Sequence, residues 1–179
     1  EAGGPNGQQQ IVTIIDDDTP PSVTLLVGSL VIGEDVAPTS TPVTVLLNAM
    51  AGQEVRVFLL KTGSAKETLD FTLPGTITIP SEVLSATVTL AAVGESVAEN
   101  DATVTISITG VINAEYASTP KTVTITDDDD PPLVTLSVGS SNIIETSGTT
   151  TVTVTLSAPS SFQVTVSLAK SGNAVDTVD

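Results

Sequence analysis

The chain has 179 residues, of which 21 are acidic and 5 are basic, so its formal net charge is −16. This charge argues against binding to nucleic acid or anionic lipid, because both require a patch of Lys and Arg side chains. His and Cys are absent, which removes the usual ligands of zinc, copper and iron–sulfur sites. We therefore expect no nucleic-acid partner, and any bound metal should be one that prefers oxygen ligands, such as Ca²⁺ or Mg²⁺.

Runs of alternating apolar and Thr or Ser residues predict β-strands along the chain. No stretch has a helical period, and no apolar run is long enough to insert into a membrane. Val, Ile and Leu must form the core, because aromatic residues make up only 2%. These features predict an all-β fold of tandem seven-stranded antiparallel β-sandwiches with an immunoglobulin-like shape. In the best-defined part of the chain the strands are 23–27, 43–47, 55–60, 71–79 with a bend at Pro74-Gly75, 86–90, 102–108 and 122–126.

The sequence repeats itself with a period suited to one small domain per repeat. Residues 15–25 return as 126–136, an offset of 111, and residues 55–70 return as 164–179, an offset of 109. We predict that 1–18 are the C-terminal strand of a preceding repeat, that 19–130 are a complete repeat, and that 131–179 begin a following repeat. We expect the sheet of this last repeat to be completed by further chain or, alternatively, by a strand from a partner chain.

Acidic residues gather in loops and at repeat ends, where like charges repel one another. Ca²⁺ reverses the sign of that interaction, since it takes six to eight oxygen ligands. The alternative is that the acidic run at 127–130 is a solvated linker. Its recurrence at 16–18, followed again by Pro-Pro, favours calcium, and the Pro-Pro pair makes the linker short and stiff. The acidic residues of the complete repeat in these places are Glu34, Asp70, Glu95, Glu99, Asp101 and Asp127–Asp130.

Three segments together resemble the Calx-beta repeat of sodium–calcium exchangers, integrin β4 and large bacterial surface proteins. They are VTITDDDDPP (123–132), IIETSGTTTVTVTLSAP (143–159) and the Gly-x-Ala pattern that ends in Asp-Phe at 63–71. The resemblance implies a calcium site at one end of each sandwich, with one or two ions per repeat. In the middle loop, Gly94 and Glu95 stand where the family usually has paired aspartates, and Ala102 replaces a glutamate. The metal ligands it implies are Glu34, Asp70, Glu95, Glu99, Asp127, Asp128 and Asp129, with Asp16, Asp17 and Asp18 in the preceding repeat and Glu145 and Asp179 in the following one.

These observations predict a calcium-binding structural or adhesive segment of a large extracellular or cell-surface protein, with bacterial surface proteins as the closest analogy. Calcium would stiffen the junctions between repeats and produce an extended rod or filament. The alternative is a calcium-sensing module that regulates an attached domain. An enzyme is not expected, because no base is available to activate a Ser or Thr nucleophile. The expected partners are neighbouring repeats, other copies in a fibre, or a cell-surface ligand.

Overall fold

The computed structural model describes residues 11–15, 17 and 19–173. Within these residues every regular element is a β-strand, and the predicted complete repeat, here called the full repeat, contains ten of them. They are β1 (Ser22–Val27), β2 (Val31–Gly33), β3 (Ser40–Leu47), β4 (Val55–Thr62), β5 (Phe71–Thr72), β6 (Thr76–Ile79), β7 (Ser85–Ala92), β8 (Ala102–Ile112), β9 (Glu115–Tyr116) and β10 (Lys121–Thr126).

These strands form two sheets that pack face to face. One sheet has the order β5-β7-β3-β1-β9, and the other has the order β2-β10-β8-β4-β6. Each long strand turns every second side chain inward, and the resulting core is mainly aliphatic, with Phe71 as its aromatic member. Val43 and Val45 of β3 are buried in this way, as are Val104 and Ile106 of β8. The predicted all-β sandwich is therefore confirmed.

Four short strands differ from the sequence prediction. The predicted strand at 71–79 is interrupted, so that β5 and β6 lie in different sheets. The strands β2 and β9 were not predicted, because two or three residues give too little alternation to recognise. Both pair in parallel, β2 with β10 and β9 with β1, whereas all other pairs within the full repeat are antiparallel. The parallel pairing of β2 with β10 is the feature that positions the candidate site.

The following repeat begins with a hairpin of β11 (Val134–Val138) and β12 (Val152–Leu156). Its local geometry repeats that of β1 and β3. Gly28 N donates to Pro42 O at 3.0 Å, and Gly139 N donates to Thr151 O at 2.9 Å, which preserves the offsets of 111 and 109 residues seen in the sequence. The bounds of the three repeats remain a prediction.

The apolar face of this hairpin is open. Leu136 is 57% exposed, whereas its counterpart Leu25 in the full repeat is 1% exposed. The difference arises because β11 and β12 have no second sheet against them among the described residues. None of the described residues forms a helix of the length and apolarity needed to cross a membrane.

Candidate metal site

Glu34 and Asp127 are brought together by the parallel pairing of β2 and β10. The register places Gly33 beside Thr126, and Glu34 N donates a hydrogen bond to Thr126 O at 3.1 Å. Parallel strands end at the same edge of a sheet, so the next residue of each strand, Glu34 and Asp127, enters the same end of the sandwich.

The turn after β2 requires glycine at position 33. A Cβ atom there would lie 2.1 Å from Val36 O, and this clash could be relieved only by moving the backbone. Gly33 N closes the turn by donating to Pro38 O at 2.9 Å. Gly33 thus allows the chain to fold back immediately before Glu34.

Asp101 reaches the same place from the neighbouring strand. It precedes β8, which pairs antiparallel with β10 so that Ala102 lies opposite Ile125. Its Oδ1 accepts a hydrogen bond from Asp127 N at 3.1 Å. Asp127 Oδ1 itself is buried and has no hydrogen-bond partner. A buried acceptor without a partner is unfavourable by about 1–3 kcal/mol or more when charged, and a cation bound at this atom would remove that penalty.

Asp70 has two roles at this end. Its Oδ2 accepts from Lys66 N at 2.7 Å, so it caps the turn before β5. Its backbone oxygen accepts from Val93 N at 3.0 Å, at the start of the loop 93–101, hereafter the middle loop. After desolvation, the negative charge of Asp70 is the largest of the effects that raise the pKa of Glu99 in that loop. Capping the turn and belonging to the acidic cluster are therefore compatible.

Glu34 is the most strongly perturbed of these acids. Its residue is 7% exposed, and burial, followed by the charges of four neighbouring carboxylates, raises its pKa to about 7. The charged groups with the largest effects on its pKa are all acidic. In order of decreasing effect, these four neighbours are Glu95, Asp127, Glu99 and Asp129.

Two further acids respond to the same cluster. Partial desolvation, followed by the charges of Asp70 and Glu95 and then of Asp127, raises the pKa of Glu99, while Lys66 opposes the shift. Desolvation and then the other aspartates of the 127–130 run also raise the pKa of Asp129, together with the charge of Asp35. These mutual effects show that three loops and the end of β10 place their carboxylates within electrostatic range of one another.

Asp35 belongs to this cluster, and the sequence analysis missed it. A Cβ atom on Gly94 would lie 1.8 Å from Asp35 Oδ1, so the Asp35 carboxylate occupies the space that a side chain at position 94 would take. The middle loop departs from the family pattern at Gly94, and Asp35 supplies a carboxylate at that point. Its position directly after Glu34 was the available signal.

The remaining predicted ligands are exposed or fall outside the described residues, although the charge of Glu95 still acts on Glu34. Glu95 is exposed, and its Oε2 accepts from Ser96 N at 3.0 Å. Asp128 and Asp17 are exposed, and Glu145 is exposed in a turn of the following repeat. Asp16, Asp18 and Asp179 lie outside the described residues. In the part of the chain that the structure describes, no three acidic side chains are arranged so that together they could hold a metal ion.

The character of the site nevertheless fits a hard divalent cation. The available metal ligands are carboxylate oxygens, the ligand type that Ca²⁺ prefers. Asp127 Oδ1 is buried without a hydrogen-bond donor, and Glu34 is buried among other acids. A bound cation would contact Asp127 Oδ1 and neutralise the charge of Glu34.

No protein-family model matches the chain, and no curated protein matches it in sequence. Among solved structures, it is similar to the apo-form Calx CBD1 domain, with 19% identity and a TM-score of 0.48 over 60% of this chain and 98% of that chain. It is also similar to CBD12 from CALX1.2, with 18% identity and a TM-score of 0.49, over 60% of this chain and 46% of that chain. The calcium binding domain CBD12 of CALX1.1 has 19% identity and a TM-score of 0.50, over 60% of this chain and 44% of that chain.

The last of these similarities reaches a TM-score of 0.50 at low identity, and it therefore bears on the fold alone. The chain has the Calx-beta fold. The resemblance found in the sequence is confirmed at this level, and the chain spans less than half the length of the two CBD12 structures. Within the Calx-beta fold, the acidic cluster lies at the sandwich end where β2 and β10 finish.

The raised pKa of Glu34 predicts that the calcium-free protein is stabilised by acid. Because the pKa is about 7 in the folded chain against an ordinary value of 4.5, the folded state binds the proton more tightly than the unfolded state. This contribution to the free energy of unfolding is complete below about pH 4.5 and is lost as the pH rises through about 7. The free energy of unfolding should therefore be lower at alkaline pH by an amount on the order of 3 kcal/mol. In chelator, we expect the melting temperature to rise as the pH is lowered from about 8 to about 5.5.

Glu34→Gln should remove most of this dependence by raising stability at the alkaline end. Glu115→Gln, at an exposed position outside the cluster, should leave the dependence unchanged. An unaltered pH profile in Glu34→Gln would contradict the assignment of the shift to Glu34.

Proposed function

We propose that the chain is a calcium-binding segment of tandem repeats in which calcium at the acidic end of one repeat stiffens its junction with the next. The observation that carries the proposal is the pairing of the buried Glu34 with Asp127, whose Oδ1 has no donor. Both residues are fixed by backbone pairing, so the repulsion between them cannot be relieved by moving the strands apart.

Calcium suits this cluster better than magnesium. Ca²⁺ accepts six to eight oxygens in flexible geometry, whereas Mg²⁺ demands near-ideal octahedral geometry and keeps several waters. Here the carboxylates come from separate segments: the turn after β2, the turn before β5, the middle loop and the end of β10. We propose that Glu34 and Asp127 would hold the ion with Glu99 and Asp70, and that the ion would supply the countercharge drawing the segments together.

The middle loop connects the cluster to the next repeat. It carries Glu95 and Glu99, and between them Ala98 O accepts hydrogen bonds from Ser161 N at 3.1 Å and Ser161 Oγ at 3.2 Å. Ala98 also forms a parallel β-bridge with Ser160 and is 3% exposed. Ordering this loop around an ion would therefore order the junction as well.

The linker supports the same reading. It runs from Asp130 through two prolines to Leu133, whose N–H donates to Ser157 Oγ at 2.8 Å. Proline fixes φ and keeps the preceding residue extended, so few conformations remain between the acidic run and β11. A short stiff linker and a second contact through the middle loop favour a fixed angle between the repeats.

We infer that such repeats would form a structural or adhesive rod outside the cell, without catalytic activity, in contact with neighbouring repeats, other copies or a surface ligand. The second candidate is a calcium-sensing module for an attached domain, since a loop that holds both ligands and the junction contact could also transmit binding. The two differ in affinity. Extracellular modules bind calcium with Kd of about 10⁻⁴–10⁻³ M, and cytosolic sensors with about 10⁻⁷–10⁻⁵ M.

Calcium should raise the melting temperature of the full chain, followed by circular dichroism because there is no Trp. At 100 times its Kd, one ion adds roughly 2.7 kcal/mol of stability. Saturation near millimolar calcium would support the rod, and saturation near micromolar calcium would support the sensor. Asp127→Asn should abolish the shift, while Glu82→Gln, at an exposed turn position, should retain it. No shift in the unaltered chain would refute the calcium site.

Calcium should also narrow the range of angles between the full repeat and the following hairpin. Spin labels at Thr89→Cys and Thr153→Cys, both exposed, report the distance between the two units by pulsed electron paramagnetic resonance. We expect a broad distance distribution in chelator and a narrower one with calcium. A control pair within the full repeat, Thr24→Cys and Thr89→Cys, should not change. Equal widths in chelator and calcium for the first pair would contradict stiffening.

A further inference from the structure

The junction after the full repeat shows how one repeat receives another. The turn 157–162 of the following repeat, hereafter the acceptor turn, lies against the middle loop of the full repeat. Its contacts are the Ala98–Ser160 bridge and the two hydrogen bonds from Ser161 to Ala98 O. A cleft of about 640 Å³ remains beside them, lined on one side by Ser96 and the acidic run and on the other by Leu133, Ser157 and Ala158.

The full repeat has its own acceptor turn at 48–53, by the offset of 109 residues. The two turns are held by the same pair of hydrogen bonds. Asn48 N donates to Ser22 O at 3.1 Å and Asn48 Oδ1 accepts from Ser22 N at 2.7 Å. In the following repeat, Ser157 N donates to Leu133 O at 3.0 Å and Ser157 Oγ accepts from Leu133 N at 2.8 Å. The turns are therefore equivalent in geometry as well as in sequence position.

Among the described residues, nothing covers the acceptor turn of the full repeat. It borders a cleft of about 710 Å³ whose other walls are Thr19–Pro21 and Asn113–Glu115. Met50 is 64% exposed, and a side chain on Gly52 would meet nothing within 4 Å. Gly52 occupies the position of Ser161, yet its N–H makes no hydrogen bond within the described part of the chain. The backbone donor that holds the junction in the following repeat is thus present here without an acceptor, while the hydroxyl group of Ser161 has no counterpart.

The charge of the turn suits the middle loop as an occupant. The six residues Asn-Ala-Met-Ala-Gly-Gln at 48–53 carry no charged side chain, and neither do Ser-Ala-Pro-Ser-Ser-Phe at 157–162, in a chain with net charge −16. An acidic loop can therefore approach the turn itself without meeting a charged side chain, and the acidic residue of the cleft, Glu115, belongs to another wall. A basic ligand would gain more at the opposite, acidic end.

We propose that the cleft at the acceptor turn 48–53 binds the middle loop of another repeat of this type, with the Gly52 N–H donating to the carbonyl at the position of Ala98. The contact is made by backbone groups and excludes water from apolar side chains such as Met50. No carboxylate takes part in it, since the equivalent contact of Ala98 with Ser161 is made by a backbone carbonyl, a backbone N–H and a hydroxyl group. Repeats would then dock head to tail through one recurring interface.

A cysteine-coupling experiment on the full chain tests this, because the chain has no Cys of its own. One copy carries Ser96→Cys, activated as a mixed aromatic disulfide. The same copy carries Ser161→Pro, which removes the N–H that donates to Ala98 O within the chain. The second copy carries Ala49→Cys, the counterpart of Ala158. The rate of thiolate release is measured in chelator, so that the result does not depend on the calcium site. Circular dichroism confirms that each variant remains folded.

Docking raises the effective concentration of the thiol near the activated disulfide towards millimolar, so the Ala49→Cys copy should couple roughly tenfold or more faster than a control copy. The control copy carries Gly75→Cys instead, at an exposed position with no atom within 4 Å of an added Cβ. Restoring Ser161 in the first copy should slow the coupling, because the chain's own hairpin then competes. Equal rates for Ala49→Cys and Gly75→Cys would overturn the proposal. An intrachain disulfide between Ser96→Cys and Ala158→Cys provides the positive reference.

Discussion

The parallel pairing of β2 with β10 determines the chemistry at one end of the sandwich. The hydrogen bond from Glu34 N to Thr126 O fixes where β2 leaves the sheet, so that Glu34 must lie beside Asp127. Burial then removes water that would otherwise screen the two carboxylates, and repulsion grows as the dielectric constant falls. The protein can relieve this repulsion by protonating Glu34, whose pKa is raised to about 7, or by binding a cation. Proton and calcium are therefore expected to compete for one place.

The same constraint extends to the junction through the middle loop. The charges of Glu95 and Glu99 add to the effect of burial in raising the pKa of Glu34. Ala98, which lies between them in sequence, contacts Ser160 and Ser161 of the following repeat. We propose that neutralising the acids would change the backbone of this loop and so alter its contact with the following repeat. In the proposed array, one segment would then both hold the ion and contact the next repeat.

The sequence predicted the long strands well, because alternation over five or more residues is a strong signal. It also led us to expect acidic loops at one end of the sandwich, and Glu34, Asp70, Glu99 and Asp127 lie within electrostatic range of one another. That these acids bind a metal together stays a prediction. It could not predict β2 and β9, which are too short to alternate, or the role of Asp35. That role depends on the space left by Gly94, a contact between loops far apart in sequence. The predicted sites of the preceding and following repeats remain predictions, because Asp16, Asp18 and Asp179 lie outside the described residues.

The central claim is that Glu34 and Asp127 share a calcium ion. A crystal structure of the full chain grown with saturating calcium tests it most directly, using anomalous scattering to locate the ion. The account predicts an ion about 2.3–2.6 Å from carboxylate oxygens of both residues, with the middle loop drawn towards it. An end of the sandwich without an ion at saturating calcium, or an ion bound only by the exposed aspartates of the linker, would contradict it.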